Sequence, residues 1–161
     1  MLNRVYRKLA EYEYSLSNFY KKIGARNDEY SSFFYELSKD EKKHSKMLFA
    51  LLDKRNEKIP TKYVVEAIEF SNKTKNTNIQ VSKNNILFKL IFKGKSASSY
   101  STIELLSFVR NGEKIAYWYY SVLLYTVKLL YLITNNKVYE LDINILSHIR
   151  EEEKKHSKGD T

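Results

Sequence analysis

The chain contains no cysteine, which excludes disulfides, zinc ribbons, thiol catalysis and cysteine-ligated iron. One proline and four glycines among 161 residues leave few obligatory breaks, and that favours long helices. Phenylalanine and tryptophan are few beside 14 tyrosines. A tyrosine packs a large ring, but its hydroxyl needs water or a buried acceptor. The opening run Met1-Leu2-Asn3-Arg4-Val5-Tyr6-Arg7-Lys8 lacks the apolar core of a secretory signal, which together with the missing cysteine fits a cytoplasmic protein. Acids are outnumbered, giving a formal net charge of +9. The lysines are spread along the chain rather than gathered in a block, so they read as a soluble, lysine-rich surface and not as a nucleic-acid site.

One run approaches the length that spans a bilayer. Between Ile115 and Ile133 the only charge is Lys128. Glu113 sits just before it, and the hydroxyls of Tyr117, Tyr119, Tyr120, Ser121, Tyr125, Thr126 and Tyr131 dilute it. The better reading is a long helix buried on several faces, by the core and by a second subunit, with no membrane partner.

The length suits one domain, 1–161, and a hydrophobic content of 43% suits a globular core. Four segments read as helices. The first runs from Leu2 to about Ile23, with Gly24 as its C-cap. The second follows the N-cap candidates Asn27 and Asp28 and runs to about Arg55. A third begins near Thr102 and continues to about Thr134. After a turn at Asn135-Asn136 a fourth covers Val138 to Lys158. The helix pair in 1–56 and the pair in 102–158 are joined by 57–101, a less regular connection, expected to be helical in part, that holds a polar run from Ser71 to Asn78 and the apolar patch Ile86–Phe92. Short turns within each pair make its helices antiparallel, and so long a connection can cross the length of a bundle: an all-α four-helix architecture with one crossover.

The two pairs repeat a motif. Glu41-Lys42-Lys43-His44-Ser45-Lys46 recurs residue for residue as Glu153-Lys154-Lys155-His156-Ser157-Lys158, and Glu13 with Tyr20 recurs as Glu113 with Tyr120 at the same interval. Each acid falls on an apolar stripe at steps of three and four: Tyr6-Leu9-Glu13-Leu16-Tyr20, Phe34-Leu37-Glu41-His44-Leu48, Leu106-Val109-Glu113-Ala116-Tyr120 and Leu146-Ile149-Glu153-His156. A lone buried carboxylate costs several kcal/mol or takes up a proton, and four in one core repel one another. Two divalent cations balance four carboxylates, and a glutamate and a histidine three apart on a helix reach the same ion. Such donors suit iron or manganese, and also zinc. A single Glu-x-x-His is ordinarily a solvated helix face; two inward copies, each preceded by an inward Glu-x6-Tyr, point to metal. Tyr20 and Tyr120 serve either as packed core rings or as hydrogen-bond donors to ligand carboxylates. His148, Glu11, Glu151 and Glu152 read as surface groups.

These residues resemble the ferritin-like superfamily and, within it, the rubrerythrin-like branch. Glu13, Glu41, His44, Glu113, Glu153 and His156 match its ligand set, with Tyr20 and Tyr120 as motif partners; the match covers both helix pairs and leaves the connection unmatched. The resemblance implies a ferritin-like bundle with a non-haem di-iron centre, Glu41 and Glu153 bridging, Glu13 and Glu113 terminal, and one histidine per iron; manganese or a mixed manganese–iron pair uses similar ligands. It also implies a homodimer that reduces peroxide or dioxygen, or oxidises ferrous iron. Two departures qualify it. The rubredoxin domain of classical rubrerythrins is missing, so electrons come from a separate donor protein or from Fe(II). The additional glutamate one turn beyond the third-helix ligand is replaced by Ala116, which brings the set equally close to a bacterioferritin-type ferroxidase. Hydroxylation of RNA or a small molecule is a further expectation, since some ferritin-like enzymes act on transfer RNA and this chain is basic.

Overall fold

The structure is a computed structural model that describes residues 2–27, 29–55 and 101–159. These form four helices and no strand: α1 Leu2–Gly24, α2 Ser31–Asp53, α3 Thr102–Thr134 and α4 Val138–Lys158. The expectations for the connection, including its apolar patch at 86–92, fall outside the described residues. Among the described residues no helix is long and apolar enough to cross a membrane.

Local chemistry accounts for most helix ends. At the start of α3 the Ser101 hydroxyl accepts from the Glu104 amide and the Glu104 carboxylate accepts from the Ser101 amide, so two orphan donors are satisfied at once. Asn135, left-handed at φ 49°, closes the same helix and donates its amide to the Tyr131 carbonyl; Gly159, at φ 83°, closes α4. Two expected caps are corrected. Gly24 belongs to α1 and has no left-handed backbone. What it supplies is closeness, because a Cβ there would meet the Ser31 carbonyl at 3.2 Å and the Phe34 Cβ at 3.3 Å. The second helix begins at Ser31 behind Tyr30, with no side-chain cap; Asn27 instead accepts from the Tyr30 amide at 3.0 Å and donates to the Thr102 hydroxyl at 2.8 Å.

Cross-helix pairs set the directions. The Ser17 hydroxyl donates to the Ser38 carbonyl and the Ser45 hydroxyl to the Ala10 carbonyl, so α1 and α2 are antiparallel. Tyr20 with Glu113, and Tyr120 with Glu13, make α1 and α3 antiparallel. His44 with Glu152, and Arg55 with Asp142, do the same for α2 and α4. Arg55 lies beside Asn3 at one end of the bundle, whereas Thr102 lies beside Asn27 at the other. The end of α2 and the start of α3 therefore lie at opposite ends of the bundle.

The stripes face inward as the periodicity requires, except that at the start of α3 Leu105 is buried and Leu106 only partly so. Burial divides into two apolar clusters. One gathers Tyr6, Leu9, Leu48, Leu52, Val127 and Leu146; the other gathers Leu16, Tyr20, Phe34, Leu37 and Val109. The acids of all four stripes lie between them.

Candidate metal centre

Each helix delivers its acid to the same level of the core. Glu13, Glu41, Glu113 and Glu153 are at most 1% exposed, His44 is 0% and His156 4% exposed. They form two overlapping groups. One is Glu13, Glu41, His44 and Glu153; the other is Glu41, Glu113, Glu153 and His156. Within each group one oxygen or nitrogen per residue lies within 4.8 Å of the rest, close enough to hold a metal ion, and Glu41 and Glu153 belong to both. The structure thus brings together all six residues singled out as ligands. The imidazole rings are 6.2 Å apart.

Several donor atoms at the centre are short of partners. Glu13 Oε2, Glu41 Oε1 and His156 Nδ1 are buried without a hydrogen-bond partner, a costly state that a metal ion would relieve. The unshared charge is visible in the acidities. Burial raises the carboxyls of Glu13, Glu41 and Glu153, and neighbouring carboxylates push the same way: Glu41 acts on Glu13, Glu113 on Glu41, and both Glu41 and Glu113 on Glu153. Burial acts on Glu113 in the same sense, but the His156 imidazole at 3.6 Å and the Tyr20 hydroxyl overcome it and leave Glu113 below its usual value. Burial would depress His44, yet Glu152, Glu153 and Glu41 around its ring hold it well above the ordinary imidazole range.

Tyr20 and Tyr120, for which packing and hydrogen bonding stood as alternatives, do both. Each is buried, and their hydroxyls donate to Glu113 Oε1 and Glu13 Oε1. Burial, followed by the carboxylates nearby, raises both phenols far above their ordinary value, so each remains a donor. The pattern is reciprocal, with α1 bracing the acid of α3 and α3 bracing the acid of α1.

Two participants were missed in the sequence. Glu152, read as a surface charge, is half-buried; its Oε2 lies 2.9 Å from His44 Nε2, while Oε1 takes Lys43 at 2.7 Å. The His44 hydrogen bond draws the Glu152 carboxyl down to about 2. Asp40 faces His156 Nε2 at 3.2 Å. Each imidazole thus has its outer nitrogen on an acid from the opposite helix and its Nδ1 toward the centre. A signal was available, because the repeat extends one residue upstream as an acid in both copies, Asp40-Glu41 and Glu152-Glu153. His148 is exposed, as expected, and pairs with Glu152 at 3.1 Å.

A small apolar cavity of about 20 Å³ abuts the centre, lined by Leu9, Tyr12, Glu13, Ala116 and Tyr120 among others. That is room for about one water-sized molecule, and the short side chain of Ala116 forms part of its wall. No protein-family model, curated protein or solved structure matches this chain.

Proposed function

We propose that the chain is a ferritin-like, rubrerythrin-like protein that holds two iron ions and reduces peroxide or dioxygen. The observation that carries this reading is the pair of ligand groups sharing Glu41 and Glu153. Glu41 and Glu153 would be shared by the two ions, with Glu13 and His44 completing the ligands of one and Glu113 and His156 those of the other. The four carboxylates neutralise two divalent charges, and carboxylate with imidazole is a donor set for iron or manganese. The placement of the end of α2 and the start of α3 at opposite ends of the bundle supports the ferritin-like layout.

When bound, two ferrous ions supply two electrons together to one oxidant molecule. The protein's own groups prepare the place. Tyr20 and Tyr120 hold Glu113 and Glu13 by one oxygen each and leave the other for metal. Asp40 and Glu152 orient the imidazoles. The apolar clusters on either side exclude bulk water, and the cavity at Ala116 admits a small molecule beside Glu13. With no cysteine to build a rubredoxin centre, electrons arrive from a separate donor protein or from Fe(II) itself, in the cytoplasm.

Ala116 favours a second reading, ferrous-iron oxidation for storage or detoxification, because the additional rubrerythrin carboxylate has no counterpart there. An anaerobic Fe(II) titration followed by peroxide or air separates the two. Two irons per chain that react fastest with peroxide support the first; fastest reaction with air, repeated turnover of excess Fe(II) and a large hollow assembly on size exclusion support the second. Glu41→Ala or Glu153→Ala abolishes the second metal, and a variant that still binds two ions per chain overturns the assignment. A parallel Mn(II) titration identifies the preferred metal.

A further inference from the structure

Apart from the ligand stripes, α1 and α2 share a second pattern. Tyr14, Ser17 and Lys21 stand at steps of three and four on α1, and Tyr35, Ser38 and Lys42 stand at the same steps on α2. Together they line a groove of about 430 Å³ between the two helices, within the range of small-molecule pockets, roughly 300 to 1,000 Å³. The two serines form its floor. Both are buried, the Ser17 hydroxyl donates to the Ser38 carbonyl at 2.7 Å, and the two hydroxyl oxygens are 3.3 Å apart. Because the helices run antiparallel through that contact, Tyr14 stands toward the Lys42 end of the groove and Tyr35 toward the Lys21 end. The tyrosines and these two lysines are half-buried. Lys42 lies in the field of both Lys46 and Lys21, whereas Lys39 at the rim is engaged by Glu36 at 2.6 Å.

The internal repeat sets this groove apart from ordinary helix packing. With Glu13 aligned on Glu113 and Glu41 on Glu153, Ser17 corresponds to Tyr117 and Ser38 to Arg150, so bulky side chains stand where the first pair has its two serines. In the same alignment Lys21 corresponds to Ser121 and Lys39 to Glu151, so the positive charge is not repeated either. A bundle of this kind needs neither the short floor nor the lysines.

We propose that the groove binds a nucleoside monophosphate, with the phosphate at the Lys42–Lys46 end, the ribose over Ser17 and Ser38, and the base against the Tyr35 ring. Lysine ammonium groups meet a phosphate as mobile point charges, and a tyrosine ring offers a base a stacking face. The seven residues from Tyr35 to Lys42 rise about 10 Å along the helix, which matches the separation of phosphate and base in an extended mononucleotide. Lys21 stands beside Tyr35 at the base end, where a carbonyl or ring nitrogen of the base accepts from it. None of the six metal ligands lines the groove, so the proposal does not depend on the metal assignment.

Isothermal titration calorimetry of the full chain with adenosine monophosphate tests it, with and without iron. One nucleotide per chain is expected in both states, with adenosine and inorganic phosphate each weaker by about tenfold or more. Lys42→Gln/Lys46→Gln is expected to weaken the nucleotide by about tenfold or more. Lys128→Gln/Lys137→Gln, which removes the same charge from the second helix pair, should leave its affinity unchanged. Ser17→Tyr, which places in the floor the residue found at 117, is expected to abolish binding; the lysine variants decide the matter should that protein fail to fold. A parent chain that does not bind adenosine monophosphate overturns the proposal, as does equal weakening by the two lysine pairs or undiminished binding by a folded Ser17→Tyr chain. Inorganic phosphate bound as tightly as the nucleotide would make the groove an anion site only, and adenosine bound as tightly would remove the phosphate contact; either result overturns the assignment.

Discussion

Asp40 and Glu152 do for His156 and His44 what the Glu-x-x-His motif cannot do within one helix. An acid at Nε2 keeps the proton on that nitrogen, turns the ring and leaves Nδ1 for the centre. Asp40→Asn and Glu152→Gln are each expected to weaken metal affinity by about 10- to 100-fold while the helical spectrum is retained, as read by competition with a chelator. Lys43→Gln, which touches Glu152 only from its solvent side, should change affinity far less. Equal affinity in all three variants would reduce the two acids to surface charges. The ligands themselves were legible because they sit on an apolar stripe, where a charge is conspicuous. Asp40 and Glu152 each lie one residue off that stripe, in a chain whose solvent faces are full of charge. What gives them a role is a histidine more than a hundred residues away, on a helix whose register the sequence does not state.

The same division runs through the helices. The bounds read as near Thr102 to about Thr134 and about Val138 to Lys158 agree with α3 and α4, and three of those four ends carry their own chemistry, the reciprocal Ser101–Glu104 bonds and the left-handed Asn135 and Gly159. Ser101→Ala removes the hydroxyl that accepts from Glu104 and should cost about 1 kcal/mol, seen as a lower denaturant midpoint with metal stoichiometry unchanged. The turn between α1 and α2 misled, since Asn27 and Asp28 both look like caps. Asn27 spends its oxygen on the Tyr30 amide and its amide nitrogen on Thr102, and the close approach at Gly24 brings α2 in at Ser31. Contact between helices, not the local residue type, chose that boundary. In α3 the 19 residues from Ile115 to Ile133 looked nearly membrane-like because two apolar faces are written on one helix; among the described residues only the inner face is covered.

At the scale of the molecule the bundle is tied at two levels. The acid–histidine layer joins all four helices at mid-height. Toward the end that holds Asn3 and Arg55, buried Asp142 of α4 accepts from the Tyr6 hydroxyl of α1, 2.7 Å away, and from Arg55 just past α2. The Arg55 guanidinium also stands 5.2 Å over the Tyr6 ring. Asp142→Ala strands an arginine and a buried hydroxyl at once, and is expected to lower stability by about 3 kcal/mol without altering metal stoichiometry. Comparable loss of metal would mean that the two levels form one cooperative unit. The sequence by itself determined the four helices of the described residues, the inward side of each, and the six acids and histidines set among apolar residues, because helical periodicity and an internal repeat are local properties of the chain. Only the tertiary structure decided that Glu41 and Glu153 are common to both ligand groups, that Asp40 faces His156 and Glu152 faces His44, and that the described residues leave the outer stripe of α3 uncovered. Those facts depend on which helices are neighbours and in what register, and that is set by side chains packing across segments far apart in the chain.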